Sequence, residues 1–154
     1  PIPLLVIYMI IFYVVFIFIL KYTSFGRAIY AIGGNQESAR LSGINVEKVK
    51  TLVFVISSML CGVAGVLLTS KVRSGDPTSA VGWEMDTIAG AIIGGTSMSG
   101  GEGNLTGTIV GLLFVGVLSN GMVLLGVNAY MQSVVKGLLI FLAVIINSIQ
   151  KRNA

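Results

Sequence analysis

The chain has 154 residues, of which 55% are hydrophobic and 10% charged, with a net charge of +4, one cysteine and no histidine. A soluble domain carries about 25% charged residues, so this composition is that of a membrane protein. The lack of histidine excludes Ser-His-Asp and Cys-His catalysis and histidine-ligated metals, and the single Cys61 excludes an internal disulfide. The positive charge is no nucleic-acid footprint, because most of it lies beside apolar runs, where it orients the protein and meets anionic lipid.

The chain opens on PIPLLVIYMI, without an initiator methionine or the basic n-region of a signal peptide. Pro3 to Leu20 carries no charge, and a run of about 20 apolar residues is what a helix needs to cross a bilayer. A first span over Ile2 to Leu20, rich in Ile, Val and Phe and without a polar face, is expected to face lipid. The longest polar interval follows. Half of the basic residues (Lys21, Arg27, Arg40, Lys48, Lys50) fall here, against Glu37 and Glu47, so the loop 21–50 is expected on the cytoplasmic side.

Local signals inside this loop are specific. Gly33-Gly34 should end any helix running through Ile29 to Ile32. Asn35 is suited to cap a new helix, because its side-chain oxygen can accept from an unpaired amide of the first turn. Gln36 to Ser42 then make about two turns, with Glu37 and Arg40 spaced for a surface pair. Gly43 is placed to end the helix in a left-handed conformation. Asn45 caps the next helix, which enters the membrane near Thr51. The expectation is a short surface helix exposing Gln36, Glu37 and Arg40.

The second span, Thr51 to Ser70, is uncharged and carries Ser58, Gly62, Gly65 and Thr69 on one helical face. Such a stripe lets helices approach closely in a membrane and reads as packing. Lys71 to Glu84 should leave on the far side, with a turn at Gly75-Asp76-Pro77. The apolar segment Asp86 to Ser99 is short and contains Gly90, Gly94 and Gly95. At that length it should be re-entrant, broken or a short crossing, and irregular backbone at membrane depth belongs inside protein or beside a water-filled cavity. A fourth apolar segment runs from Leu105 to Leu125, with Gly107 and Gly111 in small-xxx-small spacing and Asn120 within it. Gly126-Val127-Asn128 is a tight turn, and the last segment, Tyr130 to Ile149, carries Gln132 and Lys136 one turn apart. Placing both the basic loop and Lys151-Arg152 in the cytoplasm requires the short segment to cross. The fold class is thus an all-α polytopic transmembrane bundle of about five membrane segments.

Some motifs carry less than they promise. GGEGNLTG (100–107) lacks the Gly-Lys-Ser/Thr of a phosphate loop and follows no strand, so no nucleotide is expected on this chain. Asn104-Leu105-Thr106 matches a glycosylation sequon but sits at a membrane edge. Glu84 and Asp86 have the spacing of paired carboxylates, yet lack a nucleophile or metal ligands around them. Lys136 inside a span calls either for a role and a partner or for snorkelling to the interface.

The stretch FGRAIYAIGGNQESARLSGINVEKVK (25–50) resembles the cytoplasmic loop of the ribose/galactose-type sugar permeases, the membrane subunits of ATP-driven (ABC) bacterial importers. That family carries Phe-Gly-Arg, Ala-x-Gly-Gly-Asn and Ala-(Arg/Lys)-x-Ser-Gly-Ile at this spacing. The resemblance continues through WEMDTIAGAIIGGTSMSGGEG (83–103) and GVNAYMQSVVKGLLIFLAV (126–144), and so covers nearly the whole chain. It implies that residues 1–154 are the C-terminal half of an importer transmembrane domain, lodged in the bacterial cytoplasmic membrane and performing no covalent chemistry. A monosaccharide, ribose-like, would be the cargo. ATP and Mg would sit on partner ATP-binding subunits, with no cofactor on this chain. A second permease subunit, identical or different, and a periplasmic or lipid-anchored sugar-binding protein would complete the assembly. Asn35, Glu37, Ala39, Arg40, Leu41 and Gly43 would couple to the ATPase. Glu37 and Arg40 would give polar contacts, Ala39 and Leu41 apolar ones. Trp83, Glu84, Asp86, Gly94, Gly95 and Asn120 are the candidate pathway or gate residues. Asn147-Ser148 departs from relatives with an acidic residue near the end of the last helix. The alternative is a secondary transporter or channel independent of an ATPase, with Asp86 or Lys136 as an ion-coupling group.

Overall fold

The computed structural model describes residues 4–76, 78 and 80–152, of which 146–152 as backbone. The described residues form seven helices: α1 (Leu4–Tyr22), α2 (Ser24–Gly34), α3 (Gln36–Leu41), α4 (Val46–Val72), α5 (Trp83–Ile93), α6 (Leu105–Leu124) and α7 (Ala129–Arg152). They divide into two compact units, Pro1–Ser79 and Ala80–Ala154. The start of the expected first span at Ile2 and Pro3, Pro77 of the expected turn, and the side chains of Asn147 and Ser148 lie outside the described residues.

In the first unit one hydroxyl ends a helix and starts another. Thr23 Oγ1 donates to the Ile19 carbonyl at 2.6 Å and accepts from the Gly26 amide at 3.2 Å. Gly26 lies so close to the turn below that a Cβ there would stand 2.6 Å from Leu20 Cα. Only glycine lets the backbones meet at this bend. Helix α2 runs through the glycine pair and stops at Asn35, whose extended backbone breaks the helical path. The Asn35 side chain then accepts from Ser38 N at 2.9 Å to open α3, and Asn45 accepts from Lys48 N at 3.1 Å to open α4. Both expected caps are present, each satisfying an amide that the first turn leaves without a partner.

Between them, Gly43 takes φ +83°, and Ile44 N donates back to the Ala39 carbonyl at 3.1 Å. This is the expected left-handed helix end. A side chain at Gly43 would meet no atom within 4 Å, so conformation alone sets its cost. Gly43→Ala should destabilise by about 1 kcal/mol and lower the melting temperature of the purified permease. Gly75→Ala, at a glycine without positive φ or close neighbours, should leave it unchanged.

Ile32, Ala39 and Val46 form a small buried cluster, with Ile44 and Val49 packed on it. One residue from each of α2, α3 and α4 therefore fixes the short helix against the base of the long one. The Glu37–Arg40 pair does not form, and both side chains are exposed. An exposed pair at this spacing gains only about 0.2–0.5 kcal/mol, which water readily offsets. Lys50 Nζ instead donates to Gln36 Oε1 at 2.6 Å, tying α3 to α4. Along α4 the Ser58 and Thr69 hydroxyls donate to carbonyls one turn back, at 2.9 Å each. Their polar atoms are thereby satisfied without water. The stripe they share with Gly62 and Gly65 is not covered by the described residues.

The second unit is organised around α5, which packs on both α6 and α7. Its contact with α6 is backbone on backbone. Gly90 faces Gly111 and Gly94 faces Gly107; a Cβ at Gly111 would stand 2.8 Å from Gly94 N, and one at Gly94 would stand 2.5 Å from Thr108 Cα. Two small-xxx-small pairs thus run antiparallel against each other, as membrane helices pack in the absence of a hydrophobic drive. Thr96 and Thr108 hydroxyls meet at 3.2 Å beside this contact. Gly95 at φ +88° and Thr96 N donating to the Ala91 carbonyl at 3.0 Å end α5. Ser97 N donates to the Glu102 carbonyl at 3.0 Å to close the connecting loop, and Asn104 opens α6.

Helix α5 starts at Trp83, earlier than the apolar segment suggests, and has 11 residues. At 1.5 Å per residue it is about 16 Å long, short of the ~30 Å hydrocarbon layer. The short helix alone is therefore not a crossing. Before it, Asp76 Oδ1 accepts from the Thr78 amide at 2.9 Å and hydroxyl at 2.7 Å, beside the expected turn, whose Pro77 lies outside the described residues. After α6, Gly126 at φ +72° and Val127 N donating to the Met122 carbonyl at 3.0 Å make the tight turn into α7. Leu4–Tyr22, Val46–Val72 and Leu105–Leu124 are long and apolar enough to cross a membrane.

Candidate functional site

The chemistry of the second unit converges where the first turns of α5 and α7 meet. Gly82, at φ +88°, turns the chain so that Trp83 begins α5. Asp86, one turn on, reaches α7. There Asn128 accepts from Met131 N at 2.8 Å, and Gln132 Nε2 donates to the Val127 carbonyl at 2.8 Å. Both contacts fix the start of α7. One turn later Lys136 shares the face of Gln132, as the helical period requires.

Lys136 Nζ donates to Asp86 Oδ2 at 2.9 Å and lies 2.8 Å from Oδ1. The Oδ1 contact is one of charge rather than a directed hydrogen bond, since Oδ1 receives no well-aligned donor. The side chains are 20% and 27% exposed for Lys136 and Asp86. Paired charges of this kind are how membrane segments tolerate ionisable groups. Lys136 therefore has a partner, and snorkelling to an interface is not needed to explain it.

The pair borders a pocket of about 590 Å³, with Trp83, Ser119, Gln132 and Ser133 among its lining residues. Ser119 comes from α6, and its Oγ is buried without a hydrogen-bond partner. Of the expected pathway residues, Trp83 and Asp86 come together here. Glu84 is exposed and absent from the lining, as is Asn120, whose neighbour Ser119 takes that place. Gly94 and Gly95 lie at the other end of α5, where they make the contact with Gly107 and the turn that follows. Ser119 and Ser133 carry no signal of the site in the sequence, and Gln132 is marked there by its one-turn spacing from Lys136.

The short helix of the first unit presents a different surface. Gln36, Glu37 and Arg40 are exposed, and Leu41 is 85% exposed. Ala39 is 4% exposed and belongs to the internal cluster. Leu41 is thus the apolar side chain that α3 offers outward, while Ala39 and Gly43 hold the helix in place. No group of His, Cys, Asp and Glu able to hold a metal occurs among the described residues.

Comparison with known proteins follows this geometry. The profile of the family described as "Branched-chain amino acid transport system / permease component" matches residues 2–144. The chain is 44% identical over 146 residues to a ribose import permease protein of Bacillus subtilis, covering 95% of the chain and 45% of that relative. It is 44% identical, over 95% of the chain and 44% of the relative, to a probable ABC transporter permease protein, YphD, of Escherichia coli. A xylose transport system permease protein of Escherichia coli is 46% identical over 132 residues, 86% of the chain and 34% of the relative. The chain therefore spans less than half the length of these relatives. No solved structure matches it. With its long apolar helices it is a multi-pass inner-membrane protein. The ordered glycines, caps and spans sit within a family match that covers nearly every described residue, and the chain belongs to the permease-component family of the branched-chain amino acid transport systems.

Proposed function

We propose that the protein to which this chain contributes is the permease subunit of an ATP-driven importer carrying a ribose-like monosaccharide across the bacterial cytoplasmic membrane. The carrying observation is the 44% identity to a ribose import permease over 95% of the chain. In this reading the permease performs no covalent chemistry. ATP and Mg are bound by a cytoplasmic partner, a second permease subunit completes the path, and a binding protein delivers sugar from outside. The work of the chain is alternating access. ATP, the loaded binding protein and sugar shift the conformational equilibrium only as far as each binds one state more tightly than the other. Helix α3, capped at one end and closed by Gly43 at the other, is the element suited to carry movement from the ATPase to α4. An ion-driven transporter is less well supported, because its candidate coupling groups, Asp86 and Lys136, neutralise each other.

The test is affinity purification of the full-length permease, which should bring an ATP-hydrolysing subunit with it. A permease that purifies alone and transports without nucleotide would refute the proposal. The basic loop also sets an expected topology, with Arg40 in the cytoplasm and Val81 outside. Single cysteines at those positions, in a Cys61→Ala background, should react oppositely to a membrane-impermeant thiol reagent on intact cells. Equal labelling at both would contradict it.

A further inference from the structure

We propose that α5 and α6 move as one rigid body, that α7 swings against them, and that the Asp86–Lys136 pair is the contact made and broken as it does. The inference rests on the alternating access proposed above and names the seam that opens. The two faces of α5 differ in kind. Towards α6 there is no slack. A Cβ at Gly90 would stand 2.9 Å from Leu112 Cα, and one at Gly111 would stand 2.8 Å from Gly94 N. The Thr96 and Thr108 hydroxyls meet at 3.2 Å beside this contact. Backbone packed on backbone cannot tilt or slide without a clash.

Towards α7 the packing is open. A cavity of about 590 Å³ lies along this seam, with Met85 and Asp86 of α5 and Gln132, Ser133 and Lys136 of α7 among its lining residues. Gly137 lines it too, and a Cβ there would meet no atom within 4 Å. Close-packed interiors hold few voids larger than a water molecule, so α7 has room to move where α6 has none. The hydrogen bond that spans the seam runs from Lys136 Nζ to Asp86 Oδ2 at 2.9 Å. It joins side chains that are 20% and 27% exposed. Water can therefore take over as they part, and no charge is stranded in an apolar site. Gly126, at φ +72°, lies in the short turn that joins α7 to α6 and gives the swing a pivot.

The test uses the full-length permease with its ATPase in liposomes, in a background without other cysteines. Thr96→Cys with Thr108→Cys joins α5 to α6 by a disulfide, and ATP-dependent ribose uptake should continue. Met85→Cys with Ser133→Cys, bridged by a bifunctional methanethiosulfonate long enough to span the cavity, should abolish uptake until dithiothreitol releases it. Uptake that survives the α5–α7 bridge, or that the α5–α6 disulfide stops, overturns the proposal. Spin labels on Ile88→Cys paired with Leu138→Cys or with Leu113→Cys, all exposed positions, read the two seams without cargo or nucleotide. In the purified full-length permease, Asp86→Asn should lengthen the α5–α7 distance by several ångström and leave the α5–α6 distance unchanged. An equal change in both would make the pair a general stabiliser, and no change in either would deny it the seam; each result refutes the proposal. Absence of ribose uptake by the wild type removes the import reading, and the spin-label distances still decide whether α7 swings.

Discussion

Gly107→Val should eliminate most of the folded permease. A Cβ at Gly107 would stand 3.1 Å from the Gly94 carbonyl carbon and closer still to its oxygen, and the opposing Cβ at Gly94 would meet Thr108 Cα at 2.5 Å. These are backbone atoms, so no rotamer change relieves the overlap and the helices must separate. Overpacking a filled interior commonly costs about 1–3 kcal/mol, and a backbone clash belongs at the upper end. A loss of ~3 kcal/mol shifts a folding equilibrium roughly a hundredfold. The measure is the fraction of full-length permease that remains monodisperse in mild detergent. Gly116→Ala, on the same helix but with no atom within 4 Å of the added carbon, should leave that fraction unchanged. Equal recovery of Gly107→Val and Gly116→Ala would show that α5 and α6 do not depend on this contact.

Leu41→Asp should release the ATPase while leaving the permease in the membrane. The side chain is 85% exposed and contributes nothing to the internal cluster of Ile32, Ala39 and Val46, so the substitution spares the fold. In the proposed assembly the same side chain fills an apolar groove on the partner. Loss of a well-buried interface anchor commonly costs about 2 kcal/mol or more, enough to weaken assembly about thirtyfold. Co-purification of the ATPase should fall accordingly, beside a control change at exposed Lys48. Ala39→Asp tests the other face of α3. It places a charge in the buried cluster and should reduce the amount of permease itself, a different failure. If Leu41→Asp retains its ATPase in full, α3 is a connector and not a lever.

The helices were largely legible because their ends are written in residues with one physical use. Asn35, Asn45 and Gly43 announce a short helix between two spans, and the structure places a cap or a left-handed turn at each. The small-xxx-small spacing of Gly107 and Gly111 announces a close helix contact, although not that Gly90 and Gly94 lie opposite. That depends on the length of the loop between α5 and α6. The site was less legible, since it is made by tertiary contact. Asp86 and Lys136 lie fifty positions apart, and no local pattern pairs them. Ala39 and Leu41, two positions apart on so short a helix, had no context to tell which faces inward. The packing of α2 against α4 decides it. Glu84 and Asp86 looked alike in the chain, yet the helical period turns one to solvent and the other to α7.

The most direct measurement of the central claim is uptake of labelled ribose by liposomes containing the full-length permease, its ATPase and the binding protein. The account predicts accumulation above the external concentration only when ATP is supplied on the ATPase side, and none with Leu41→Asp. Accumulation without ATP, driven by an imposed ion gradient, would contradict it.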